Sequence, residues 1–149
     1  VPSHPSELRA RAAQACVDRF AARSLAWGRV DCAQIAAHHL RCLGIKTAPL
    51  KGVKYRTEAQ AHAALLASGF TGLGEALDAI PHLQRIPWAL RVVGDLVGFK
   101  AEGGLWDLSL TVLITPQKVL GIHTDGQVAT LTPRAEGIAA VWRATPCRR

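Results

Sequence analysis

Trp27-Gly28-Arg29-Val30-Asp31-Cys32 is a loop-to-helix junction. Asp31 is a good N-cap, because a short carboxylate accepts hydrogen bonds from the first free N–H groups and suits the positive end of the helix dipole. Downstream, Ile35, Ala36, Leu40 and Leu43 recur on one helical face, and Gly44 is a ready C′ residue. This helix is alanine-rich and mostly apolar, so it is expected to be the most buried. Cys32 then stands at its N-terminal end, where unpaired N–H groups favour a thiolate and can hold an oxyanion. Asp31 works against this, since a neighbouring negative charge raises a thiol's pKa. On spacing alone the plainer account is preferred, with Cys32 a small residue packed under Trp27.

Working outward, Ser6 is a candidate N-cap for a helix over about residues 7–22, with Leu8, Ala12, Ala15, Cys16 and Phe20 on one side. Cys16 is expected to be a small core residue. Residues 45–56 form a loop with Pro49 and Gly52. Thr57-Glu58-Ala59-Gln60 resembles a capping box and opens a helix to about Ser68, ended by Gly69. A short turn of helix is expected near 75–80, stopped by Pro81. From Pro87 onward the pattern becomes β-rich, with strands expected over 96–99, 108–114, 119–123, 127–131 and 138–143. Asp125-Gly126 supplies a hairpin turn, and the tail from Pro146 is expected to fray. Helices first and antiparallel strands afterwards define an α+β domain spanning 1–149. Its helical half covers about 6–80 and its sheet of about five strands about 90–143.

At 149 residues with 49% hydrophobic and 19% charged, the chain can build a real core. No stretch approaches the ~20 apolar residues of a membrane span. The N-terminal residues lack the apolar segment of a signal peptide, so synthesis in a cytoplasm without one is expected. The net charge of +7 is uneven, with ten Lys/Arg against four Asp/Glu in residues 1–60 and eight against seven beyond. That imbalance fits a solvated basic face or a docking surface for an acidic partner. It argues against nucleic acid, because Phe20 and Tyr55 are the only Phe or Tyr in the basic half and offer little stacking.

Cys16, Cys32, Cys42 and Cys147 contain no C-x-x-C pair, which favours reduced thiols. His38 and His39 can meet Cys42 on one helix face, but no second ligand cluster completes a metal site. No cofactor motif is present.

The W-G-x-x-D-C segment at Trp27 to Cys32, followed by a buried helix, resembles the nucleophile segment of NlpC-type peptidases. These are papain-fold cysteine hydrolases that cut peptide links in bacterial cell walls. In that family a G-D-L-V segment opens the first sheet strand, as Gly94-Asp95-Leu96-Val97 does here. Within the superfamily the chain is most similar to short proteins encoded among the tail genes of long-tailed bacteriophages. Their marks are F-A-W-G-x-x-D-C, G-x-Y-R-T-E and a final A-W-R strand. Here these are Leu25-Ala26-Trp27-Gly28-Arg29-Val30-Asp31-Cys32, Gly52-Val53-Lys54-Tyr55-Arg56-Thr57-Glu58 and Val141-Trp142-Arg143. The resemblance implies a papain-like fold, with Cys32 at the nucleophile position and Trp27, Gly28 and Asp31 around it. It also implies a virion component near the tail tip, with tail and hub proteins or cell-wall peptides as partners.

The departure concerns the base. A papain-type mechanism needs a histidine to take the thiol proton and later protonate the leaving amine. The resemblance places it where the strand after G-D-L-V opens, but Leu108-Ser109-Leu110-Thr111-Val112-Leu113-Ile114 holds none. His123, at the end of the following strand, is the one sheet-region candidate to replace it. His39 shares a face with Cys32 but lies about 10 Å along the helix. Trp27 and Trp142 are expected to be core. The reading is therefore a nucleophile position without its partner, in a structural or docking module. An active hydrolase using Cys32 and His123 is the alternative.

Overall fold

The computed structural model describes residues 3–47 and 54–147. Pro49, Gly52 and Val53, which the sequence places in a loop and in the middle motif, lie outside the described residues.

Four helices come first. Helix α1 is Pro5–Phe20, and its cap is His4 rather than Ser6. The His4 Nδ1 accepts the Ser6 N–H at 3.2 Å, and Pro5 sits just inside the start, where its fixed φ suits the helix and its missing N–H costs nothing. Helix α2 is Cys32–Cys42, capped as expected by Asp31, whose Oδ1 accepts the Gln34 N–H at 2.8 Å. Gly44 ends it at a φ of 76°, with the Ile45 N–H reaching back to the Leu40 carbonyl at 2.9 Å. Helix α3 is Glu58–Ala67, and Thr57 Oγ1 accepts the Gln60 N–H at 3.1 Å. The Gln60 side chain bonds the Arg56 N–H at 2.8 Å, one residue short of a capping box. Helix α4 is Leu73–Asp78 and starts earlier than the sequence suggests. Its cap comes from a distant residue: the Asp107 carboxylate accepts the Leu73 and Gly74 N–H groups at 2.8 and 3.2 Å. Among the described residues no helix is long and apolar enough to cross a membrane.

Six strands follow: β1 Leu83–Ile86, β2 Leu96–Lys100, β3 Leu108–Thr115, β4 Lys118–Ile122, β5 Val128–Leu131 and β6 Ile138–Ala144. They form one sheet in the order β1-β6-β2-β3-β4-β5, with every neighbouring pair antiparallel. The sequence foresaw five of them and missed β1, which extends the sheet half back to residue 83. As an edge strand of four residues with Gln84 and Arg85 exposed, β1 carries no apolar alternation to announce it. At the opposite edge α1 stops short of its expected end. Ala22 turns at a φ of 64° and the chain runs beside β5, through Ala22 N–H to Val128 O at 3.0 Å and Leu25 N–H to Gly126 O at 2.7 Å.

Helices α1 and α2 pack on one face of the sheet. There Ala12, Cys16, Phe20, Ile35 and Leu40 meet Leu96, Leu110, Val112, Leu120 and Trp142. Each large aliphatic side chain buried this way contributes roughly 1.5–3 kcal/mol. The other sheet face holds a smaller cluster of Val97, Leu113, Val119 and Val141, partly covered by Trp88 and Phe99. Trp142 is core, as expected, and fully buried. The tail does not fray at once, because the Cys147 N–H is held by the Leu43 carbonyl at 2.9 Å.

Candidate functional site

Asp31 organises the junction that opens α2. It is 1% exposed, and its Oδ2 accepts the Gly28 N–H at 2.8 Å and the Tyr55 hydroxyl at 2.9 Å, while Oδ1 caps α2. Gln34 Nε2 donates back to the Tyr55 hydroxyl at 3.2 Å. Gly28 turns at a φ of 87°, and a Cβ there would stand 2.1 Å from the Tyr55 carbonyl oxygen. Only glycine fits. Two of the motifs singled out in the sequence therefore meet through one buried carboxylate. Asp31 and Gly28 shape the loop, and every Asp31 contact is internal.

Cys32 is the first residue of α2, at the floor of a surface cleft of about 200 Å³. Leu25, Trp27, Trp106, Leu108 and Ile122 form its walls. Trp27 is half-buried and does not sit in the core as expected. Its ring stacks on Trp106, with centroids 6.4 Å apart and planes 12° from parallel. His62 of α3 meets the Trp106 ring edge-on at 5.8 Å. The Trp106 indole N–H is buried with no hydrogen-bond partner among the described residues. Nothing in the sequence around Trp106 marks it as a cleft residue.

Burial is the largest influence on the Cys32 thiol and pushes its pKa up to about 11. Backbone hydrogen bonding from Leu110, Ala33 and Cys32 itself pulls the other way, and the Asp31 charge adds to the rise. Desolvation thus outweighs the helix N-terminus, and the thiol stays protonated at neutral pH.

Strand β3 does come against Cys32, and it brings leucines. Leu108, which opens the strand, and Ser109 both line the cleft. The imidazoles are engaged elsewhere. His123 follows β4 with a half-exposed side chain, its Nδ1 3.5 Å from Asp125 Oδ1, and the cleft is lined by its neighbour Ile122 instead. His39 is fully buried, and its Nε2 bonds the Gly94 carbonyl at 2.7 Å. His38 lies 3.6 Å from Cys42, and His82 lies 3.4 Å from Cys147. His4 bonds Ser6. Among the described residues no hydrogen bond joins an imidazole to Cys32.

The layout of helices packed on an antiparallel sheet is shared with known structures. NlpC2 from Trichomonas vaginalis superposes with a TM-score of 0.59 at 13% identity, over 99% of this chain and 49% of that one. This chain therefore spans about half the length of the T. vaginalis protein. The P60 domain of an antigen from M. avium subspecies paratuberculosis superposes with a TM-score of 0.51 at 13% identity, over 94% and 98% of the two chains. These likenesses define the fold as α+β of the papain-like NlpC/P60 type. The chain belongs to the family described as domain of unknown function DUF6950, whose model matches residues 6–144. No curated protein matches the sequence significantly.

Proposed function

We propose that this chain is an NlpC/P60-type domain without hydrolytic function, serving as a structural or docking module of a bacteriophage tail near the tip. The observation that carries the loss of catalysis is the composition of the wall facing Cys32. The strand that opens beside the thiol presents Leu108 and Ser109, and no imidazole is bonded to Cys32 among the described residues. Without a base a protonated thiol is a poor nucleophile, and nothing in the cleft protonates a leaving amine. The tail assignment is supported by the three motifs quoted from the sequence. In this reading the chain is carried in the virion, its basic helical half turned toward another tail or hub protein. Cell-wall peptides would be partners only if hydrolysis survives.

Release of soluble peptides from purified cell-wall sacculi tests the catalytic part, comparing the protein with Cys32→Ala. No Cys32-dependent release is expected, and turnover that disappears in the variant would restore the hydrolase reading with His123 as the candidate base. Quantitative mass spectrometry of purified phage particles tests the location. Absence of the chain from intact tails would overturn the virion assignment.

A further inference from the structure

The cleft above Cys32 is apolar on nearly every side. Its wall residues Leu25, Trp27, Trp106, Leu108 and Ile122 are hydrophobic, and among the described residues no Lys, Arg or His lines it. Of the polar side chains in the lining, Asp31 has its carboxylate engaged by Gly28, Gln34 and Tyr55, which leaves the Ser109 hydroxyl and the Cys32 thiol. Such a cleft has nothing to offset the desolvation of a charged ligand, and the buried Asp31 charge disfavours an anion further. A lining of two indoles and branched aliphatic side chains suits an uncharged aromatic or aliphatic side chain.

Apolar surface is also left exposed at the rim. Leu25, which lines the cleft, is 37% exposed, and Leu105, the chain neighbour of Trp106, is 48% exposed. A lone small molecule seated in the cleft would leave that rim in water. A polypeptide segment with one anchoring side chain and apolar flanks would cover it. The Trp106 wall is carried by a turn containing Gly103 and Gly104, with φ of 82° and 78°, and a Cβ on Gly103 would meet nothing within 4 Å. The turn has room to adjust around an occupant.

We propose that the cleft above Cys32 is a recognition pocket for an uncharged apolar side chain presented by a segment of a partner protein. This deepens the docking reading and rests on it, since the same cleft would otherwise hold a substrate. Binding of one such anchor falls in the millimolar range, so the measurement must tolerate weak complexes.

The test is an NMR titration of the ¹⁵N-labelled protein with three probes: Ac-Gly-Gly-Phe-Gly-Gly-NH2, the same peptide with Glu replacing Phe, and toluene. The Phe peptide is expected to shift the Trp27 and Trp106 indole signals saturably, leave the buried Trp142 indole unmoved, and bind at least about tenfold more tightly than the Glu peptide. Trp106→Ala and, independently, the rim change Leu25→Glu should each weaken it by about tenfold or more. Equal binding of the Glu peptide, or no saturable shift, would overturn the apolar pocket. Binding of the Phe peptide unchanged in two folded variants would place it elsewhere. Toluene binding as tightly as the Phe peptide would overturn the polypeptide assignment. Sacculus hydrolysis is read separately, so catalytic activity with no peptide preference, or the reverse, shows which proposal failed.

Discussion

Asp95 and Arg143 form a two-pronged ion pair in which Arg143 Nε donates to Asp95 Oδ1 at 2.6 Å and its second nitrogen to Oδ2 at 3.0 Å. The carboxylate is fully buried, and it also accepts the Val92 N–H at 2.7 Å. The G-D-L-V segment that opens β2 and the Val141-Trp142-Arg143 end of β6 are thus two halves of one interaction. Removing Arg143 would leave the buried carboxylate without its cation. Arg143→Leu is expected to cost about 3 kcal/mol or more in urea denaturation. Arg143→Lys should recover only part of this, because an ammonium cannot make the same paired bonds.

The Gly28 turn is held from two directions. Gly28→Ala forces a positive φ on alanine and drives its methyl into the Tyr55 carbonyl, so a loss of about 2 kcal/mol or more is expected. Tyr55→Phe removes the hydroxyl bond to Asp31 and should cost about 1–2 kcal/mol. Thermal melts of both variants measure this, and near-wild-type stability in Gly28→Ala would contradict the close approach.

Cys32 is expected to resist iodoacetamide at neutral pH while exposed Cys42 is labelled, as read by peptide mass mapping. Its labelling should rise only as pH climbs toward about 11. The folded state holds this proton more tightly than the unfolded chain, whose thiol titrates near 9.0. The associated stability is therefore whole below pH 9.0 and drains away as pH rises through about 11. Leu108→His puts an imidazole on the cleft wall and should speed Cys32 labelling at neutral pH by about tenfold.

His39 is held neutral by burial, its pKa lowered from the ordinary 6.5 with the Gly94 and Ala12 carbonyls opposing the shift. A depressed pKa means stability that is present above pH 6.5 and is lost as pH falls through the lower folded value. His39→Gln should flatten the early acid limb in urea midpoints measured against pH. An unchanged slope would show that other groups set it.

What could be foreseen from the sequence was local chemistry. Asp31, Thr57 and Gly44 mark helix ends because each acts within about a turn of its own position, and that reach is written in neighbouring residues. Asp107 caps α4 from 34 residues beyond Leu73, and Arg143 finds Asp95 across 48. Neither pairing has a local signature. The candidate site divides the same way: Cys32 at a helix start was readable, whereas the Trp27–Trp106 wall exists only once the fold brings two distant loops together. A lone tryptophan before a helix gives no hint that another will stack on it, so the sequence by itself points Trp27 to the core.

One rim of the sheet is covered and the other is kept short. The segment after α1 occupies the outer side of β5, and β1 on the other rim is four residues long, between Pro81 and Pro87. Copies of this chain brought to high concentration therefore find little free strand edge among the described residues, which disfavours growth into fibrils by backbone pairing. Assembly then falls to side chains on its faces, where specificity can be encoded residue by residue.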